Sequence, residues 1–325
     1  MTTQAVDNAI TEEPLHCPGP ESEDAGAGDA CNSCNYQQFC SSNNNLPKVE
    51  DPDIQLIKDN LSCIKNKILV LSGKGGVGKS TFSTLLSFLL SSDPELNIGL
   101  LDLDITGPSI PKMIGTMSDK SNATLHMTNN GLIPNYVQDN LATISIQYLL
   151  PSLDEAIIWK SAKKETMIKK FLKDTLWNDL DYLIIDTPPG TSDEHILINK
   201  LLNKTQSVTG AVLVTTPQEV SLNDVRKEIN FCQKVGIRIL GLVENMAGFV
   251  CGSCNKKTDI FKATTGGGEA LCNEFNIPYW GKVPLDPRLG ICCDQGESFI
   301  DLYPESEATL KLVEIVEKLM DQCEI

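Results

Sequence analysis

Apolar positions along the chain follow two regimes. From residue 67 onward, short continuous apolar runs recur at 67–72, 98–104, 182–186, 210–215, 239–244 and 279–283. Continuous runs of this kind, as opposed to alternating ones, are expected of strands buried on both faces of a parallel sheet. Stretches with helical apolar spacing, such as 80–91 and 222–235, separate several of them. The alternation predicts an α/β fold, a doubly wound, mostly parallel sheet with ligands at the carboxyl ends of its strands. Residues 1–46 are different, being rich in Gly, Pro, Asn, Ser and acid, with almost nothing to build a core. The expected organisation is therefore a flexible, metal-dependent N-terminal segment over 1–46, a connector over 47–66 and one large domain over 67–325.

Between the first strand and the first long helix lies Gly73-Lys74-Gly75-Gly76-Val77-Gly78-Lys79-Ser80. It fits G-x-x-x-x-G-K-[ST] in the strand–loop–helix context that this motif requires. Successive backbone N–H groups there form an anion nest, and the helix that follows adds its positive N-terminal end. Lys79 is expected to reach the β- and γ-phosphates of ATP, and Ser80 to ligate Mg²⁺, with Thr81 completing the binding segment. Acids close two later strands, Asp102-Leu-Asp104 and Asp186-Thr-Pro-Pro-Gly190. Asp186 takes the Walker B role of holding Mg²⁺, directly or through water. A plain helix-capping acid is the alternative for each. Asn245 and the turn Val283-Pro-Leu-Asp286 resemble, in their place along the chain, the segments with which related P-loop ATPases recognise adenine, and that resemblance makes them the adenine candidates.

Charge and cysteine content narrow the function. A net charge of −16, from 43 acidic and 27 basic residues, disfavours nucleic acid and anionic membrane as partners. The first residues carry acids and no basic or apolar leader, so a cytoplasmic setting is expected, with the nucleus left open. In a reducing compartment, twelve cysteines point to metal where they cluster. Cys17, Cys31, Cys34 and Cys40 supply four soft ligands that suit zinc or an iron–sulfur cluster equally, and spacing alone does not choose. Cys251-Gly-Ser-Cys254 is half of a four-thiolate site. Two copies of the loop could bridge one cluster, but a redox dithiol, or zinc completed by Cys292 and Cys293, fits equally. Cys63, Cys232, Cys272 and Cys323 read as small buried hydrophobes. With three histidines, a His-based site is improbable, and His126 and His195 read as structural or exposed.

Lys74, a second lysine inside the phosphate loop, resembles the mark of the deviant Walker A (SIMIBI-type) P-loop NTPases, the superfamily of MinD, ParA and the nitrogenase iron protein. That resemblance implies that Lys74 reaches a partner subunit's nucleotide, and that Asp104 is the switch carboxylate orienting the attacking water, with Asp102 supporting it. The catalytic set is then Lys74, Lys79, Asp104 and Asp186. Leu101-Asp-Leu-Asp-Ile-Thr-Gly-Pro-Ser109, Asp186-Thr-Pro-Pro-Gly-Thr-Ser-Asp-Glu-His195, Val243-Glu-Asn-Met246, the Cys251/Cys254 pair and Thr265-Gly-Gly-Gly268 narrow it further. Together they resemble the Mrp/NUBP family of ATPases that build cytosolic iron–sulfur clusters, and the four N-terminal cysteines resemble its long-form eukaryotic scaffold subunit.

The resemblance implies a labile 4Fe–4S cluster bridging two chains through Cys251 and Cys254. A second, tightly held 4Fe–4S cluster is implied on Cys17, Cys31, Cys34 and Cys40. It also implies ATP and Mg²⁺ as cofactors, slow hydrolysis, and a homodimer or a heterotetramer with the short-form partner that serves apo iron–sulfur acceptors. The chain departs from the family pattern in two places: Gly252 replaces a proline, and Lys160-Ser161-Ala162 stands where Arg-Gly-Pro is common. An ATP-gated electron donor and a MinD- or ParA-like positioning ATPase are the competing readings of the same motifs.

Overall fold

A computed structural model describes residues 25–34, 37–44, 51–118, 121–150, 159–190, 192–205, 208–251, 254 and 256–323. Contacts divide the chain into two units, Met1–Asp51 and Pro52–Ile325. In the first, a 3₁₀ helix at Asp29–Ser33 precedes an α-helix at Gln37–Asn44. Gln37 and Ser41 side chains both donate to the carbonyl of Gly26 at 3.3 Å.

The second unit is built on one sheet of eight strands. In chain order these are β1 (Ile64–Leu71), β2 (Ile98–Asp102), β3 (Asn135–Gln138), β4 (Leu141–Ser145), β5 (Leu180–Asp186), β6 (Gly210–Thr215), β7 (Ile239–Glu244) and β8 (Tyr279–Lys282). They are arranged β8-β7-β6-β1-β5-β2-β4-β3. Every neighbouring pair is parallel except β3 with β4. Continuous apolar strands feed two cores because successive side chains point to opposite faces. In β1, Leu69 and Leu71 join one core while Ile68 and Val70 join the other. The first core is closed by helices Pro52–Leu61, Ser161–Asp174, Asp193–Lys204, Glu219–Val235 and Gly267–Phe275. Helices Lys79–Ser91 and Glu307–Gln322 dominate the second. No helix among the described residues is long and apolar enough to cross a membrane.

All six strands expected from apolar runs are present, with shifted ends: β1 starts at Ile64, and β2 stops at Asp102. Strands β3 and β4 were not foreseen. Every residue of β4 is buried, yet Thr143 and Ser145 interrupt its apolar run, and Ser145 is there to serve the site described below. The connector expected over 47–66 is structured from Pro52. Ile57 and Leu61 are fully buried. The Asn60 amide donates to the carbonyls of Leu172 (2.9 Å) and Thr175 (3.0 Å), satisfying orphan groups at the end of helix Ser161–Asp174. Lys173 pairs with Asp53 at 2.6 Å. The acids and amides that read as connector composition form the outer face of an amphipathic helix.

Ile57→Ala should therefore cost about 2–5 kcal/mol, as buried large-to-small changes do, lowering Tm by about 4–20 °C. A free connector would give a shift of about 0.5 kcal/mol or less in a thermal melt.

Candidate nucleotide site and cysteine loop

The Gly73–Ser80 loop runs from the carboxyl end of β1 into helix Lys79–Ser91. Gly76 (φ 81°) and Gly78 (φ 84°) take left-handed conformations that an L side chain adopts only with strain. A side chain at Gly78 would also strike the amide of Asn245, and one at Gly73 the backbone of Asp224. The loop is thereby locked between β7 and helix Glu219–Val235.

At its end sits a buried polar knot. The Lys79 ammonium lies 2.6 Å from Asp186 Oδ2, with Lys79 6% and Asp186 0% exposed. Ser80 Oγ donates to the same oxygen and Ser83 Oγ to Oδ1, both at 2.6 Å. Paired, hydrogen-bonded groups of this kind tolerate burial where an isolated charge would not. Asp102 is the register neighbour of Asp186 across β2 and β5. Its Oδ1 accepts from the Asp104 N–H (3.1 Å) and its Oδ2 from Ser145 Oγ (2.8 Å). Burial pushes the Asp102 carboxyl well above the usual range, and the charge of Asp186 adds to the effect. Asp104 accepts from Thr106 Oγ1 (3.1 Å) and the Gly107 N–H (3.3 Å); burial raises its pKa against the pull of Lys79. Lys74 is exposed.

Beside the loop a cavity of about 390 Å³ is lined by Gly78, Thr81, Asn245, Pro284, Asp286 and Cys293 among others. That volume is in the range of small-molecule sites. Asn245 Nδ2 donates to Val77 O at 2.9 Å, tying the end of β7 to the phosphate loop. The loop, both predicted adenine elements and Thr81 thus meet in one place.

From Asn245 the chain continues into the cysteine loop. A short hairpin pairs Phe249–Val250 with Lys257–Thr258, and the Cys251 N–H donates to Lys256 O at 3.1 Å. Cys251 is half-buried and Cys254 exposed. Among the described residues no three His, Cys, Asp or Glu side chains converge to hold a metal. Cys31 is buried, Cys34 and Cys40 are half-buried, and Cys17 lies outside the described residues. Cys292 is buried in the second core, and Cys293 lines the nucleotide cavity. Burial pushes the Cys232 and Cys272 thiols up to about 12, and the Cys323 thiol up to about 11, as expected of thiols serving as hydrophobes. His126 is exposed. His195 is fully buried, its Nε2 2.7 Å from Glu228 Oε1.

Sequence reasoning missed Ser83, Ser145 and Glu228. Ser83 had a signal, since it follows Lys79 by one helical turn and shares its face. The other two are placed by tertiary contacts that no local pattern announces.

A profile of the NUBPL iron-transfer P-loop NTPases matches residues 63–320. The chain belongs to that family. It is 61% identical over 309 residues to the cytosolic Fe-S cluster assembly factor NBP35 of Kluyveromyces lactis, covering 95% of this chain and 92% of that protein. Identity to the protein of the same name from Eremothecium gossypii is 58% over 323 residues, or 99% and 95% of the two chains. Among solved structures, an Archaeoglobus fulgidus nucleotide-binding protein in complex with ADP is 34% identical. Its TM-score is 0.63, and the match covers 75% of this chain and 92% of that one. Pyrococcus furiosus cell division ATPase MinD, at 23% identity and a TM-score of 0.55 over 79% and 99% of the chains, shares the fold. For this NUBPL-family chain, nucleotide binding by the P-loop is a family property.

The raised Asp102 carboxyl has a stability consequence. A carboxyl raised in the folded state binds its proton more tightly than in the unfolded chain, so stability is lost as pH climbs above the usual carboxylate range. Asp102→Asn keeps the acceptor for the Asp104 N–H and removes the charge. In metal-free buffer its Tm should exceed that of the parent by an amount that widens as pH rises above the usual carboxylate range. Each kcal/mol relieved gives about 2–4 °C in a calorimetric scan.

Proposed function

We propose that the chain is an ATP-dependent scaffold that assembles 4Fe–4S clusters and hands them to apoproteins in the cytosol and nucleus. One observation carries the reading: Asn245 both touches the phosphate loop and begins the segment that bears Cys251 and Cys254. A nucleotide seated in the cavity and a cluster held on those thiols would act on the same strand end. The likeness to the cytosolic Fe-S cluster assembly factors of Kluyveromyces lactis and Eremothecium gossypii supports the same function and a cytosolic setting.

In this reading Gly73–Ser80 and Thr81 bind ATP, Lys79 neutralises the phosphates, and Ser80 and Asp186 hold Mg²⁺. Lys79 and Ser80 leave Asp186 for the phosphates and metal when nucleotide arrives, so the buried knot keeps the site ready without an unpaired charge. Asp104 orients the attacking water. The exposed Lys74 contacts the nucleotide of a facing subunit, which makes closure of two chains depend on ATP. Cys251 and Cys254 supply two thiolates to the cargo cluster, and the same pair from the facing chain supplies the other two. The facing chain is a second copy or the short-form scaffold. Hydrolysis, slow and coupled to this closure, reopens the interface for transfer.

Cys31, Cys34 and Cys40 lie within one turn-and-helix unit, and soft thiols suit iron and sulfide. With Cys17 they would hold the resident cluster. When bound, that cluster would supply order to a segment poor in apolar residues and a one-electron site.

Cys254→Ala should abolish transferable iron while iron remains on the N-terminal segment, as read by Mössbauer spectra before and after incubation with an apo-acceptor. Equal loss from both places contradicts separate sites. Lys79→Ala should weaken Mg·ATP binding by about 10–100-fold, the loss of a charged hydrogen bond, and stop delivery. Normal delivery by that variant contradicts ATP coupling.

A further inference from the structure

Thr265-Gly-Gly-Gly268 has no part in the site described so far. It lies where the cysteine loop descends into helix Gly267–Phe275, and its glycines make room for one carboxylate. Glu244, the last residue of β7, is 1% exposed, and its Oε2 accepts the N–H of Gly268. A Cβ on Gly267 would lie 2.6 Å from that oxygen, and one on Gly268 3.0 Å from it. Gly267 also has φ 69°, which a side chain would strain. Glu244 thus bonds to the far end of the loop, which begins at the residue after it. One foot of the loop is joined to Glu244 through the backbone and the other through its buried carboxylate.

The same residue is fixed to the nucleotide site. Its carbonyl accepts from the Val283 N–H at 2.9 Å, and Val283 lines the nucleotide cavity. The next residue, Asn245, donates from its backbone N–H to Thr215 O at 2.7 Å and from its side chain to Val77. A second tie runs parallel to it. Thr265 Oγ1 bonds the carboxylate of Glu219, the first residue of the helix whose Asp224 backbone lies against Gly73. Among the described residues the second oxygen of Glu244, Oε1, has no hydrogen-bond partner, and the ammonium of Lys282 stands 3.7 Å from it. A buried carboxylate with half its acceptor capacity unused depends heavily on the Gly268 N–H and on the positive end of that helix.

We propose that Glu244 is a positioning residue: it clasps the two feet of the cysteine loop and transmits the state of the nucleotide cavity to Cys251 and Cys254. Any shift of Asn245 on nucleotide binding moves Glu244, and a charge-assisted bond draws Gly268 with it. The role of this movement in cluster handling rests on the scaffold reading; the clasp itself does not.

The test uses the full-length, metal-free chain and hydrogen exchange over 249–268, with and without Mg·ATP. In the parent chain, Mg·ATP should slow exchange there by about fivefold or more, the lower end of ordinary coupling between sites. Glu244→Gln, which keeps the shape and drops the charge, should bind Mg·ATP within about threefold of the parent yet lose that response. Gly267→Ala, which crowds the same oxygen without removing charge, should lose it too, and guards against a folding failure of the first variant. An unresponsive parent segment, or a full response in both variants, overturns the clasp. Iron loading and chelation on the same proteins are read separately. A responsive loop that never acquires iron keeps the clasp and sinks the scaffold reading.

Discussion

The site depends on keeping Lys79 and Asp186 charged in a place that excludes water. Their 2.6 Å contact sits where parallel strands end, and Ser80 and Ser83 complete the coordination of the carboxylate. Breaking a buried pair on one side alone leaves an uncompensated charge and is strongly destabilising. The surrounding architecture follows from that constraint. The phosphate loop needs left-handed glycines to turn back over the lysine, and β5 must lie beside β1 to bring the aspartate within reach. Asp102, the register neighbour of Asp186, must in turn be held by Ser145 and by the Asp104 backbone.

This explains which parts of the fold were readable from the sequence. Strands buried on both faces carry uninterrupted apolar runs, so β1, β2, β5, β6, β7 and β8 announced themselves. Strand β4 did not, because Thr143 and Ser145 occupy inward positions, one of them to hold Asp102. Helix Pro52–Leu61 looked like a connector because its polar side is as rich in Asp, Lys and Asn as a linker, while Ile57 and Leu61 fall at helical spacing on the other side. The phosphate loop was plain because backbone conformation and chemistry both demand particular residues in consecutive order. Ser145 and Glu228 are brought to their partners from distant parts of the chain, and nothing local marks them; Glu244 lies inside the Val243–Met246 motif, but its pairing with Gly268 is set by the fold.

The cysteines show the same boundary. Chemistry could say that Cys251 and Cys254 are half of a site, and the structure places them on a hairpin whose base touches the nucleotide pocket. In the proposed reading the remaining half comes from another chain. ATP energy and cluster chemistry are joined, in this account, through the short path from Val77 to Asn245 to Glu244. On that reading, closure of two subunits around nucleotide would convert two pairs of thiols into one four-thiolate site, giving the deviant lysine and the C-x-x-C a common purpose.

The central claim is that nucleotide brings thiolates from two polypeptides onto one cluster. Native mass spectrometry of anaerobically reconstituted protein with non-hydrolysable Mg·ATP analogue tests it most directly. The account predicts paired chains carrying one more 4Fe–4S unit than their N-terminal segments hold, and loss of that unit when the pair is split. Single chains with Mg-nucleotide bound, each retaining zinc and no inorganic sulfide at Cys251 and Cys254, would contradict it.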